Sequence, residues 1–253
     1  MEKLFIKNRK NQKIAVLVER AKTPHGLVFV MHGMGDSKDS DHIKTFVKCF
    51  FDNNYTVVRF DATGSFGESD GKFENANILT YYEDLEDVLN WSKSRDFYQE
   101  PFILCGHSLG ATSSVFYAEN NPNLIKAVFS ASAVINAELS KKNYSLEELY
   151  NWEKTGWITE DWDGFEAKFK WSYMQAKEKF DLLEMANKLN VPTFLVVGEL
   201  DNNTPPKNQQ ILFDKLPSRK ELYVIKNAPH TFKDKEHLNE VYKVLDEWIK
   251  SIN

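Results

Sequence analysis

Phe102-Ile103-Leu104-Cys105-Gly106-His107-Ser108-Leu109-Gly110-Ala111 is the stretch that decides how this chain folds. Four apolar residues run into Gly-x-Ser-x-Gly, and Ala111–Tyr117 beyond it has helical character. The pentapeptide alone is a weak signal, because glycine and serine are common residues. Its context sharpens it. A strand-to-helix elbow forces Ser108 into a tight turn, and the flanking glycines relieve the crowding there. The hydroxyl then stands at the carboxyl end of the strand, and the helix N-terminus turns its free N–H groups toward an incoming acyl oxygen. The bland alternative is a glycine turn with an incidental serine.

Outward from the elbow, short apolar runs alternate with longer amphipathic ones. Leu27–Met31 is a continuous apolar run, as expected of a strand covered on both faces. Thr56–Phe60, Ala127–Phe129, Thr193–Val197 and Leu222–Ile225 are of the same kind. Leu4–Ile6 and Ile14–Val18 flank a polar turn at Asn8–Gln12 and read as an opening hairpin. Thr80-Tyr-Tyr-Glu83 reads as a capping box before a helix carrying Leu85, Val88 and Leu89. Pro205 and Pro206 mark another helix start, and Val241, Val244, Leu245 and Trp248 give the last helix its buried stripe. Strands alternating with helices imply a mostly parallel sheet, with helices on both faces.

The alternation breaks over 136–180, which is rich in aromatic and acidic residues, lacks a long β run and opens a short helix at Ser145-Leu-Glu-Glu148. This stretch reads as a lid inserted within a single domain spanning 1–253; the alternative is a helical pair finishing the core. Trp152, Trp157, Trp162 and Trp171 crowd it, and one or two of these rings are expected to line a substrate pocket while the rest are structural.

A serine hydroxyl needs a base to take its proton and an acid to orient that base. Of six histidines, His230 stands apart: it follows the last strand run, in a loop before the final helix. His107 adjoins Ser108, but neighbours on such an elbow diverge, so it reads as structural, as does His32. His25, His42 and His237 read as solvated. Asp201 follows Thr193–Val197 at a strand's carboxyl end, with Glu199 as the rival acid. The order Ser108, Asp201, His230 is the nucleophile-acid-base order of α/β-hydrolases. Met34, in Met31-His-Gly-Met-Gly35, and Leu109 are placed to offer backbone N–H groups to an oxyanion. No Walker lysine follows Gly106–Gly110, and no third glycine completes a dinucleotide fingerprint at Gly33-Met-Gly35.

Composition closes several other routes. Among 253 residues, 32 Lys+Arg stand against 37 Asp+Glu, so the basic excess that broad nucleic-acid binding uses is missing. Cys49 and Cys105 lack CxxC spacing, which excludes a disulfide scaffold and a cysteine zinc site. The charged N-terminal decapeptide has no secretory apolar stretch, and no segment approaches the ~20 apolar residues of a membrane span. The expectation is a cytoplasmic protein with free thiols, its oligomeric state left open between monomer and homodimer.

The chain resembles the α/β-hydrolase esterases of the cinnamoyl/feruloyl type, within the serine aminopeptidase-like hydrolases. The resemblance runs from about Leu27 to Asn253 outside the insertion. It rests on His32-Gly33, Arg59-Phe60-Asp61, Glu68-Ser-Asp-Gly-Lys-Phe-Glu74, Gly106–Gly110, Gly198-Glu-Leu-Asp201 and Ala228-Pro-His230. It implies Ser108 as nucleophile, Asp201 as acid, His230 as base, and Met34 and Leu109 as the oxyanion amides. Two departures stand out. The loop Asp61-Ala-Thr-Gly-Ser-Phe-Gly-Glu-Ser69 is one residue longer than the family's and lacks its histidine, and the insertion does not match the hydroxycinnamate-binding lid.

The sequence therefore reads as a serine hydrolase cleaving a small carboxylic ester through an acyl-enzyme, with feruloyl-type or short-acyl esters as the finer expectation. Thioester, amide and small-peptide hydrolysis are alternatives on the same triad. A non-catalytic ligand-binding protein of the same fold is the rival from another class. No metal or organic cofactor is implied.

Overall fold

The computed structural model describes all residues except Asp163 and Ser218. Ten strands and eight α-helices are present among the described residues. The chain opens with β1 (Glu2–Lys7) and β2 (Lys13–Glu19), then β3 (Gly26–Met31), α1 (Asp41–Asp52), β4 (Tyr55–Phe60) and α2 (Ile78–Ser92). β5 (Phe102–His107), α3 (Leu109–Asn120) and β6 (Ile125–Ala131) follow. After α4 (Ala137–Lys141), α5 (Leu146–Thr155), β7 (Trp157–Trp162), β8 (Phe165–Lys170) and α6 (Trp171–Lys177), the chain returns to the sheet. It ends with β9 (Thr193–Gly198), α7 (Pro206–Lys215), β10 (Lys220–Ile225) and α8 (Lys235–Ser251).

Eight strands form one sheet in the order β1-β2-β4-β3-β5-β6-β9-β10. The opening hairpin is antiparallel, and β2 runs antiparallel to β4; every pairing from β4 through β10 is parallel. β3, β4, β5 and β9 are buried along their whole length, which is why they appear in the sequence as unbroken apolar runs. Two apolar layers sandwich the sheet. One gathers Phe29, Leu104 and Leu195 against Leu85 and Leu89 of α2, Val115 of α3 and Leu212 of α7. The other gathers Val30, Cys105, Phe129 and Val196 against Phe46 and Phe50 of α1 and Val241, Leu245 and Trp248 of α8.

Several local readings shift. The cap of α2 lies three residues before the expected Thr80: Asn77 accepts from Leu79 N and Thr80 N at 3.0 and 3.1 Å, and Thr80 Oγ1 accepts in return from Asn77 N. Thr80 is thus the third helical residue, where the reciprocal bond of a capping box belongs. Ser145 does cap α5, in a full box with Glu148. The 136–180 stretch contains an antiparallel hairpin, β7–β8, that the expectation of helices without a β run omitted. A small apolar cluster of its own, Trp152, Ala167, Phe169 and Met174, holds this stretch together.

Candidate active site

Ser108 stands at the end of the fifth strand in the sheet order, at φ 53° and ψ −119°, a backbone conformation that a non-glycine residue seldom adopts. Its N–H is held by Ala131 O at 2.9 Å. The two motif glycines are required by close approach. A Cβ on Gly106 would lie 2.4 Å from the backbone of Gly110, and one on Gly110 would lie 2.5 Å from the carbonyl oxygens of Met31 and His32. The elbow therefore packs backbone against backbone, and α3 starts directly beneath the serine. Leu109 opens that helix, where N–H groups have no intrahelical partner. Met34 follows β3, and its N–H donates to nothing among the described residues.

Asp201 lies beyond β9 and His230 beyond β10. His230 Nδ1 is 2.7 Å from Asp201 Oδ2. A carboxylate only accepts, so Nδ1 carries a proton; in the neutral ring that makes Nε2 the nitrogen with the free lone pair. The carboxylate is fixed from its other side: Asn203 N and Thr204 N donate to Oδ1 at 2.9 and 2.8 Å, and Thr204 Oγ1 donates to Oδ2 at 2.9 Å. Burial by itself would push the Asp201 carboxyl up, but His230 and the Thr204 N–H outweigh it and hold it well below the usual carboxylate range. Glu199 is exposed and accepts instead from Asn227 N at 2.8 Å. Ser108 and His230 line one cavity, though Ser108 Oγ makes no hydrogen bond among the described residues.

His107 and His32 have structural roles. His107 Nε2 donates to the backbone oxygen of His230 at 2.8 Å, tying the elbow to the loop between β10 and α8. His32 is fixed as the Nδ1–H tautomer between Gly33 O at 2.7 Å and Ala62 N at 3.0 Å. His42 corrects the sequence reading: it is buried, 3.0 Å from Asp36 and edge-on to His107 with ring centres 4.4 Å apart. Burial, then the charges of His42 and His230, push His107 well below its ordinary value, so it stays neutral. Asp36, His42 and His107 offer donor atoms within 4.8 Å of one another and are the described group that could hold a metal ion.

The cavity has a volume of about 820 Å³. One wall is the loop after β3, with Met34 and Gly35; another is Phe66 from the lengthened loop after β4. That loop is anchored by buried Asp61, which accepts from Lys38 N at 2.7 Å, Lys38 Nζ at 2.9 Å and Glu68 N at 2.8 Å. The 136–180 stretch supplies the opposite wall through Tyr144, Glu160, Trp162, Phe165, Tyr173 and Lys177.

The four tryptophans separate. Trp162 lines the cavity and approaches so closely that a Cβ on Gly35 would meet its ring at 2.5 Å. Trp152 is buried in the insertion, donating to Phe169 O at 3.1 Å. Trp171 packs on Trp152 at 5.4 Å between ring centres, and Trp157 faces solvent under Lys170. The rings of Trp152, Trp157 and Trp171 lie outside the cavity wall: Trp152 and Trp171 pack within the 136–180 stretch, and Trp157 is exposed. Sequence reasoning passed over Thr204, Glu160 and Lys177. Only Thr204, next to the helix-starting prolines and three residues from Asp201, carried a local signal.

Residues 22–159 match the family described as serine aminopeptidase, S33. The chain belongs to that family. It is similar in structure to Est1E from Butyrivibrio proteoclasticus with ferulic acid bound, at 21% identity over 98% of both chains and a TM-score of 0.84. It is also similar to mouse alpha/beta hydrolase domain-containing protein 10, at 19% identity over 100% of both chains and a TM-score of 0.82. The fold is thus the α/β-hydrolase fold. By sequence, a monoglyceride lipase homolog of Monkeypox virus is 23% identical over 255 residues, covering 89% of this chain and 90% of that one. The family is one of hydrolases. No helix of the described residues is long and apolar enough to cross a membrane.

Proposed function

We propose that this chain is a serine hydrolase that cleaves a carboxylic ester of a small molecule, with Ser108, His230 and Asp201 as its catalytic residues. The observation that carries the reading is the His230–Asp201 pair at 2.7 Å, which fixes Nδ1 as the donor and so makes Nε2 the basic nitrogen of the neutral ring, in the same cavity as a serine held at positive φ. Nε2 takes the Ser108 proton as Oγ attacks the acyl carbon. The Met34 and Leu109 N–H groups stabilise the oxyanion of the tetrahedral intermediate. That intermediate collapses, the protonated imidazole gives its proton to the departing alkoxide, and an acyl-serine remains. Water then attacks the acyl-serine, losing its proton to Nε2, and the serine is regenerated with release of the acid.

Within this reading the 136–180 stretch is a lid over the serine, and Trp162 is the tryptophan that contacts substrate. Trp152, Trp157 and Trp171 support the lid from outside the cavity. Feruloyl-type esters remain the finer proposal, since Est1E binds ferulic acid in a chain of the same fold. A fluorophosphonate probe and a panel of aryl esters of increasing acyl length test the reading together. Labelling and turnover lost in Ser108→Ala are expected. A wild-type protein that neither labels nor turns over any ester of the panel overturns it.

A further inference from the structure

Lys177 ends α6 and is among the residues lining the cavity, yet it is 7% exposed. Its ammonium has no hydrogen-bond or ion-pair partner among the described residues; it lies over the ring of Tyr173, 4.3 Å from the centre. Burial lowers its pKa to about 8, against the opposing pull of Glu160. Glu160 does not pair with it. Its two oxygens are taken by Tyr144 OH at 2.6 Å and Trp162 Nε1 at 2.9 Å. Those two donors fix the acid on the wall and draw off part of its charge.

An ammonium without a paired anion on a side chain this buried is costly, and buried charges in proteins are usually paired; this one reaches only the cavity. The other deeply buried lysine shows the contrast. Lys38 is 1% exposed and is bonded to Asp61 and Glu68 at 2.9 and 2.8 Å. A face-on tyrosine ring supports a cation without satisfying its three N–H donors. We infer that Lys177 forms an anion subsite in the cavity, and that the ester cleaved at Ser108 carries a carboxylate on the part filling the space beside α6. One ammonium near a fixed acid matches a singly charged carboxylate better than a doubly charged phosphate. The inference rests on the ester-hydrolase reading for its substrate, but the subsite itself can be read without turnover.

The test uses mono-4-nitrophenyl esters of linear dicarboxylic acids and, for each chain length, the same ester with its free acid capped as a methyl ester. A charge-assisted bond to a buried ammonium predicts that kcat/KM favours the free acid by roughly tenfold or more at one chain length. That ratio should fall to about one in Lys177→Met and in Lys177→Gln, and persist in Lys177→Arg. A wild-type ratio near one at every length, or a ratio unchanged in Lys177→Met and Lys177→Gln, overturns the subsite, while turnover of the capped esters leaves the ester-hydrolase reading standing. If no ester is hydrolysed, that reading fails instead. The subsite is then decided by the melting temperature with added free dicarboxylates: a rise in wild type that is absent in Lys177→Gln supports it, and no rise in wild type overturns it.

Discussion

Glu119, near the end of α3, is 1% exposed, and neither of its carboxylate oxygens has a partner among the described residues. Burial, with a smaller push from Asp181, raises its pKa from 4.5 to about 9. In the folded chain it is therefore a neutral acid at pH 7, whereas in the unfolded chain it is ionised. The native state binds more protons than the unfolded state between those two values, so stability falls as pH rises through that window. Each pH unit above 4.5 costs about 1.4 kcal/mol, which gives at most about 3 kcal/mol by pH 7. Glu119→Gln keeps the shape and a similar buried polar load but cannot ionise. It should match the wild type in stability near pH 4.5 and exceed it at pH 7 by up to about 3 kcal/mol, or roughly 6–10 °C in melting temperature. Urea unfolding of both proteins across pH 4.5–8 measures the difference directly. A gap that stays constant with pH, or a variant less stable at pH 7, would refute the placement of an unpaired carboxyl in this layer.

Four further outcomes concern the site. Ser108→Ala should fold with unchanged melting temperature and lose roughly 10⁴ or more in turnover, measured on a small aryl ester. Asp201→Asn should cost far more activity than Glu199→Gln, because Asp201 touches His230 while Glu199 accepts from Asn227 N; a severe Glu199→Gln with a mild Asp201→Asn would exchange the acids. Trp162→Ala should change the ranking of acyl groups in an ester panel, while Trp152→Ala should lower stability by roughly 3–5 kcal/mol and leave that ranking alone. Gly35→Ala, at φ 63° and against the Trp162 ring, should displace that ring and so alter acyl selectivity, read on the same panel.

The parallel strands were legible because burial on both faces demands unbroken apolar runs, as in Leu27–Met31 and Thr193–Val197. The positions after two such runs were legible for the same reason, since Ser108 and Asp201 follow β5 and β9; His230 follows β10, an edge strand exposed over much of its length whose apolar residues still marked it. The insertion was harder. Trp157–Trp162 and Phe165–Lys170 alternate between half-buried or buried and exposed positions over much of their length, and a short alternating run among charges is easily passed over. The signal was present, since Asp163-Gly164 between such runs is a strong hairpin signature. His42 was misread because its burial comes from contact with Asp36 and His107, not from its neighbours in sequence. Lys177 gave no signal at all, because nothing in the sequence of a short helix tells which of its residues the preceding hairpin will wall in.

His107 and His230 are 123 residues apart, and the loop between β10 and α8 is the last part of the cavity to be made. At roughly 5–20 residues per second, a ribosome completes the serine elbow many seconds before the histidine beside it. Under the proposed chemistry the nascent chain would carry, through that interval, a nucleophile with no base, and so would not be acylated by passing esters. On that reading the site would be armed only when α8 lays Val241, Leu245 and Trp248 onto the sheet and the His230 loop meets His107. A chain cut within α8 would keep every residue of the proposed chemistry and still emerge disarmed.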